Sequence, residues 1–213
     1  MAESAWYDKF APLYDVGTAG DFFYRKPREV AIDQLDLGVG CQVADVFCGT
    51  GVDLPTLIQK VGTKGAVLAV DGSHEMLEQA RSRAGKLHID SNVEFLEADF
   101  SRSTGIGVVE AAITEKQPKH VFFSLGLTCL ENWREFCSRI FDAAPSGTRF
   151  AIMDVYSNRL TLGARFINWI GAADCCRNVW KILEERCESF AWQEFRPFKI
   201  LGVSVIVASG TKP

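Results

Sequence analysis

Along the chain, fully apolar or period-two stretches alternate with stretches whose apolar residues recur every three or four positions. The first kind predicts strands at 42–47, 66–70, 93–96, 121–125 and 149–155, and the second predicts helices between them. Leu54, Leu57, Ile58 and Val61 share one helical side, with Pro55 tolerated in the first turn and Gly62 as the stop. Ser73 caps a helix that lines up Met76, Leu77, Ala80 and Ala84 and ends at Gly85. Ile106, Val109 and Ile113 mark a third helix. Trp133, Phe136, Cys137, Ile140, Phe141 and Ala144 mark a fourth, ending at Pro145. Buried strands alternating with helices imply a parallel sheet covered on both faces.

The C-terminal end follows another rule. Segments 189–195 and 203–209 read as strands, yet the RPFKILG between them is too short for a crossover helix, so the two run antiparallel. The expected fold is α/β: a doubly wound sheet of seven strands, mostly parallel, with a C-terminal antiparallel strand pair. Residues 156–188 are an insertion ahead of that pair, predicted helical. A chain of 213 residues, 47% hydrophobic, suits one domain over 1–213.

Composition narrows the partners. With 27 acidic against 23 basic residues and no Lys/Arg run, nucleic acid is disfavoured, because that binding is driven largely by phosphate neutralisation. The start MAESAWYDKFAPLYD lacks the basic and apolar regions of a secretory signal, and no apolar run approaches the ~18–20 residues of a membrane span. The seven cysteines contain no CxxC pair, and Cys41, Cys48, Cys129 and Cys137 lie in apolar segments. A cytoplasmic, reducing compartment and no metal site are expected.

The candidate chemistry begins where the first strand runs into VADVFCGTGVDL. A glycine-rich turn between strand and helix brings backbone N–H groups against an anionic or polar ligand, and a side chain at Gly49 or Gly51 would keep that ligand away. A tight turn without a ligand is the alternative. The next strand ends in VLAVDG, which places Asp71 20 residues past Gly51, the offset of an acidic residue that grips a ribose diol. A carboxylate offers two acceptors to two adjacent hydroxyls. The stretch Gly49-Thr50-Gly51-Val52-Asp53-Leu54 lacks the third glycine of a dinucleotide site. The third strand ends in VEFLEADF, where Asp99 is placed to accept from an adenine amino group and Phe100 to lie against the ring.

With these residues the chain resembles the class I S-adenosylmethionine-dependent methyltransferases, from YDKFAPLYD to VIVASGTKP. Within them it is most similar to the small-molecule group that includes ubiquinone/menaquinone C-methyltransferases and bacterial phosphatidylethanolamine N-methyltransferases. The resemblance implies a Rossmann-like sheet, S-adenosyl-L-methionine as cofactor, S-adenosyl-L-homocysteine as product, and a small-molecule acceptor. It places Asp45 and the turn Cys48, Gly49, Thr50 and Gly51 at the methionine end. Asp71 with Gly72 would take the ribose, Met76 would pack by the adenine, Asp99 and Phe100 would bind the base, and Ser124 would line the methionine moiety. Residues 1–30 would form a lid in which Tyr14 or Arg25 meets the methionine carboxylate. Two features depart from the pattern. Phe47 stands where many relatives use glycine for the tight turn, and 101–119 reads as a full helix where relatives often have a short acidic loop.

No universal base motif exists in this reaction class. The candidates for contact with the acceptor are Tyr14, Asp154 and Tyr156, the last two at the carboxyl end of the fifth strand, where a plain strand-end turn is the alternative. None of His74, His88 and His120 is selected as base. The insertion carries Leu160, Leu162, Phe166, Ile167, Trp169 and Ile170, with Arg159, Arg165, Arg177 and Lys181 interleaved. It reads either as a helix pair closing the core or as a lipophilic acceptor pocket with a basic rim suited to peripheral membrane contact. The expected function is methyl transfer to a small lipophilic acceptor. Quinone-like or aromatic carbon or oxygen comes first, a phospholipid amine second, and an S-adenosylmethionine-binding regulator without transfer activity is the rival.

Overall fold

The computed structural model describes residues 20–213. Its strands are β1 Gln42–Val46, β2 Ala66–Asp71, β3 Val93–Glu97, β4 His120–Ser124, β5 Arg149–Tyr156, β6 Glu188–Phe198 and β7 Val203–Thr211. Its helices are α1 Gly20–Gln34, α2 Leu54–Val61, α3 His74–Lys86, α4 Ser103–Lys116, α5 Trp133–Ala143, α6 Leu162–Gly171 and α7 Lys181–Arg186. The seven strands form one sheet in the order β3-β2-β1-β4-β5-β7-β6. β1 to β5 are parallel, and β7 is threaded antiparallel between β5 and β6. The order reverses between β1 and β4, so a crevice for ligand is expected beyond their carboxyl ends.

Alternate residues of each strand face opposite layers. Val43, Val67, Ala69, Phe122, Ala151 and Met153 meet Ile32 and Leu35 of α1, Leu54 and Leu57 of α2 and Leu77 of α3. Ala44, Val46, Leu68, Val70, Val121, Phe123 and Ile152 meet Ile106, Val109 and Ile113 of α4, Phe136 and Ile140 of α5, and Leu183 of α7. Both faces being buried explains why these strands read as apolar runs rather than as alternations.

Most helix ends fall where the sequence puts them. Gly62, at φ 67°, ends α2 and donates its N–H to the Ile58 carbonyl at 2.8 Å. Ser73 Oγ accepts from the Met76 N–H at 3.3 Å and starts α3. The end of α3 is a correction, because the helix runs through Gly85 to Lys86. The left-handed residue beyond it is His88, at φ 55°, so Gly85 makes no reversal. α5 is closed from a distance: Lys212 Nζ donates to the carbonyls of Phe141, Asp142 and Ala144 at 2.8, 3.1 and 2.6 Å.

Residues 156–188 contain two helices, α6 and α7. α6 packs Ala164 and Ile167 against Val155, Cys175 and Val203, while α7 joins the core through Ile182 and Leu183. Of the segment expected as a lid, residues 20–30 belong to α1, which packs on β5 and β7. Tyr14 lies outside the described residues. No helix among the described residues is long and apolar enough to cross a membrane, and all seven cysteines are free.

Candidate cofactor site at the strand tips

Between β1 and α2 the backbone turns through three left-handed residues, Phe47 at φ 65°, Gly49 at φ 53° and Gly51 at φ 75°. Asp71, the last residue of β2, fastens this turn: Oδ2 accepts from the Gly49 N–H at 2.8 Å and Oδ1 from the Ser73 N–H at 3.0 Å. Arg83 of α3 holds it from below, with Nε donating to the Thr50 carbonyl at 3.0 Å. Cys48 donates its N–H to the Val70 carbonyl at 3.0 Å, and Gly51 donates to the Cys48 carbonyl at 2.9 Å. Burial pushes the Cys48 thiol well up, which leaves it a packing residue and not a nucleophile.

The two glycines serve different ends. A Cβ on Gly49 would meet nothing within 4 Å, so this side of the turn is open. A Cβ on Gly51 would come 2.8 Å from Leu54 Cδ1 and 3.0 Å from Ala80 Cβ. At Gly49 the left-handed backbone favours glycine and the space beside it is open. Gly51 is glycine because α3 presses against it.

Phe47 occupies a conformation that costs a non-glycine residue about 1–2 kcal/mol. Its ring offsets that cost by packing among Phe100, Phe136 and Phe123, with centroids at 4.6, 5.5 and 6.4 Å. The ring also lies on Gly126, where a Cβ would stand 2.1 Å from Phe47 Cγ. An aromatic residue thus replaces the usual glycine here at the expense of a compulsory glycine beyond β4.

Beneath the turn, on the face covered by α1 to α3, lies a buried charged group. Asp53 accepts from Ser124 Oγ at 2.8 Å and pairs with Arg28 Nε at 2.5 Å, the Arg28 side chain being 12% exposed. Asp45 is fully buried beside them, and neither carboxylate oxygen has a hydrogen-bond partner among the described residues. Burial, and next the Asp53 charge, push its carboxyl well above the usual range, with Arg28 pulling the other way. Burial also raises Asp71, against the pull of N–H groups from Ser73, Gly49 and Gly72. The basic residue at the site is therefore Arg28. Arg25 is 77% exposed and pairs with Glu29 on its own helix at 3.2 Å.

The tip of β3 supplies the other carboxylate. Asp99 is half exposed, accepts from the Ser101 N–H and hydroxyl at 3.1 and 2.6 Å, and these bonds hold its carboxyl below the ordinary value. Phe100 differs from expectation. Its ring is buried 5.2 Å from Phe136 and 4.6 Å from Phe47, close beneath Gly72, so it serves as floor and core. Met76 is buried in the first turn of α3.

At the tip of β5, Asp154 is engaged internally. Oδ1 accepts from Thr128 Oγ1 at 2.7 Å and from the Val155 N–H at 2.8 Å, and Oδ2 from the Thr128 N–H at 3.1 Å. Burial pushes its carboxyl up to about 6 against those bonds. Tyr156 sets its ring edge-on to Trp180 at 4.6 Å. Arg177, read as part of a basic rim, turns inward and donates to the carbonyls of Thr128 and Leu130 at 2.9 and 2.5 Å. Tyr24 of α1 packs with Leu125 between these groups, and burial followed by the Asp154 charge raises its hydroxyl. The hydroxyl therefore keeps its proton near neutral pH. Arg28, Asp53 and Thr128 stand at these strand tips although the sequence alone does not single them out. Among the described residues no group of three His, Cys, Asp or Glu side chains could hold a metal ion.

A sheet of this order, a glycine turn after β1 and a carboxylate at the tip of β2 define the Rossmann-like fold of class I S-adenosylmethionine-dependent methyltransferases. The chain belongs to the methyltransferase domain family, whose model matches residues 37–161, and the family takes its methyl group from S-adenosylmethionine. Among curated relatives, the 2-phytyl-1,4-naphtoquinone methyltransferase of Nostoc sp. (strain PCC 7120) is 32% identical over 99 residues, 45% of this chain and 42% of that protein. The 23S rRNA (uracil(1939)-C(5))-methyltransferase RlmD of Acinetobacter baylyi is 40% identical over 95 residues, 44% of this chain and 20% of that protein. The chain spans less than half the length of these curated relatives. A solved geranyl diphosphate methyltransferase in complex with SAM shares the fold, with a TM-score of 0.69 at 12% identity over 88% of this chain and 85% of that one.

Proposed function

We propose that the protein transfers a methyl group from S-adenosylmethionine to a small lipophilic acceptor, with a quinone-like or aromatic carbon or oxygen as first choice. One observation carries the cofactor half. Asp71 holds the N–H of Gly49, whose far side is open, so the tip of β2 and a bare stretch of backbone face the same space. An ionised carboxylate has about four lone-pair sites. Asp71 turns them toward the N–H groups of Gly49, Ser73 and Gly72, which leaves acceptor capacity for a ribose hydroxyl. The orphaned oxygens of Asp45 fit a donor such as the methionine ammonium. Asp99 offers its exposed carboxylate to the adenine amino group. Bound there, the cofactor supplies a sulfonium methyl already activated for displacement. What the chain's residues then add is alignment and exclusion of water.

The acceptor half is supported by the apolar set Val155, Ala164 and Val203 with Leu125 and Tyr24 beyond β4 and β5, and by the likeness to the naphthoquinone enzyme. The likeness to an rRNA enzyme is answered by the net charge of −4.

The test is transfer of labelled methyl to three substrates in parallel: a demethylated naphthoquinone, phosphatidylethanolamine vesicles, and an rRNA transcript. Label in the quinone alone is the expected result. Label in the phospholipid or the RNA replaces the acceptor assignment. Thermal stabilisation by S-adenosylhomocysteine with label in none points to the regulatory protein. Stabilisation by NAD in its place overturns the cofactor assignment.

A further inference from the structure

We propose that the outer side of α6, together with the turn Lys199–Leu201, docks on an anionic lipid surface. The proposal extends the lipophilic-acceptor reading, on which its purpose rests, but its test needs no methyl transfer.

α6 is apolar on two sides. Its inner side, Ala164 and Ile167, packs with Val155, Cys175 and Val203 in the cluster that includes Tyr24 and Leu125. A surface helix ordinarily turns polar residues to water on the opposite side. Here Leu162, Phe166 and Trp169, spaced i, i+4, i+7, are 86%, 51% and 74% exposed, with the two rings 6.5 Å apart. Leu160 and Ile200 add 52% and 101% exposed side chains. The turn carrying Ile200 is fixed to the start of α6. Thr161 Oγ1 donates to the Leu201 carbonyl at 3.0 Å, and Gly163 sits so close that a Cβ would come 2.1 Å from the same oxygen. Five of the nine exposed large apolar side chains among the described residues thus fall on two joined segments. Scattered singly they would need no explanation. Gathered this way they mark a contact surface.

Charge decides what the surface fits. No acidic residue occurs from 157 to 173 or from 195 to 213, in a chain whose net charge is −4. Arg159, Arg165 and Lys199 are exposed on these segments and form no ion pair among the described residues. Apolar side chains on segments that carry basic but no acidic residues match acyl chains beneath anionic headgroups, with Trp169 suited to the boundary between them. Because the inner side of the same helix packs with Tyr24 and Leu125, docking would bring the lipid surface next to the candidate acceptor space.

The experiment uses the full chain and sedimentation with vesicles of phosphatidylcholine, alone or mixed with phosphatidylglycerol. Binding to the mixed vesicles, weakened by salt and accompanied by blue-shifted tryptophan emission, is expected. The pair Phe166→Ser and Trp169→Ser should lower partitioning about tenfold or more while the thermal melt is unchanged. The pair Arg165→Glu and Lys199→Glu should remove the preference for the anionic lipid. The proposal fails if the wild-type chain ignores both vesicle types, or if the variants bind as well as it does. It fails too if the serine pair converts a dimer into a monomer, since a second copy then covers this side. Methylation of a detergent-dispersed quinone without vesicle binding sinks the docking and spares the proposed function. Vesicle binding without transfer does the opposite.

Discussion

Phe47 and Gly126 should behave as one unit. In Gly126→Ala the new Cβ lands 2.1 Å from Phe47 Cγ and 2.4 Å from Cδ1, far inside contact distance. The ring has little room to yield, since Phe100 stands 4.6 Å away and Phe136 5.5 Å away on its other sides. Overpacking of this kind costs about 1–3 kcal/mol, and the overlap argues for the upper end. Phe47→Gly removes a half-buried ring, a loss of about 3 kcal/mol, and regains about 1 kcal/mol by relieving the left-handed backbone. Its net cost is about 2 kcal/mol. In the double variant the added methyl occupies space the ring has left, so the second change should add less than about 0.5 kcal/mol. The four proteins compared by urea unfolding should then show a coupling of about 2–3 kcal/mol. Affinity for S-adenosylhomocysteine, lowered in Gly126→Ala because the ring displaces the turn, should partly return in the double variant. Additivity within about 0.5 kcal/mol would refute the reasoning, since the ring and the Cβ would then not compete for the same volume.

Three other outcomes are expected. Gly49→Ala and Gly51→Ala should each lose about 1–2 kcal/mol of unfolding stability to the left-handed backbone, Gly51→Ala more because its Cβ also meets Leu54 and Ala80, while Gly49→Ala should in addition weaken S-adenosylhomocysteine binding; calorimetry of both variants separates the effects. Asp71→Ala should weaken that binding by about 1.5–3 kcal/mol, and a loss below about 1 kcal/mol by titration, with the unfolding curve intact, would move the ribose contact elsewhere. Asp154 carries a folded pKa of about 6 against 3.8, so the native state holds its proton more tightly. Its contribution is fully present below the unfolded value and is lost as pH rises through about 6, amounting to about 3 kcal/mol across that window. Urea unfolding from pH 4 to 7 should therefore show a flatter decline for Asp154→Asn than for the wild type, and parallel slopes would sink this assignment.

How much can be read without coordinates follows from range. The strands are visible because both faces of the sheet are covered, and the antiparallel pair because a seven-residue connection leaves no other path. Gly49 and Asp71 are legible because their offset along the chain is set by one strand–helix–strand unit. The helical readings of 101–119 and of the insertion agree in kind with α4, α6 and α7, which are shorter than the stretches read. Arg28 escapes the motif reading although it leaves a trace: Tyr24, Arg28, Ala31 and Leu35 keep i, i+4, i+7, i+11 spacing, so a charge sits on the buried stripe of α1. Arg25, three positions earlier, lies on the exposed side of that helix. The Asp154–Thr128 bonds join residues 26 apart, and the Gly51–Ala80 contact joins two helical units; neither follows from local spacing.

Carboxylates at these strand tips divide by what their oxygens already do. Asp154 gives every bond to its own fold, and the carbonyl of its partner Thr128 is taken in turn by Arg177 at 2.9 Å and by the Asp174 N–H at 2.8 Å. A group so engaged pins the loop beyond β4 and has little left for a substrate proton, even with its pKa near 6. Asp45 is the reverse, as buried as Asp154 yet with both oxygens unanswered. A buried acceptor without a donor is costly, and a carboxylate in that position either keeps its proton or meets a donor brought from outside. Arg28 lies beside it and pairs with Asp53 at 2.5 Å. Unmet acceptor capacity is therefore concentrated where β1 and β2 end, on the side covered by α1 to α3, while the tip of β5 is self-sufficient. That asymmetry, more than the number of acidic residues at the crevice, is why the proposed function seats the cofactor's cationic end by β1 and β2 and gives the tip of β5 a shaping role.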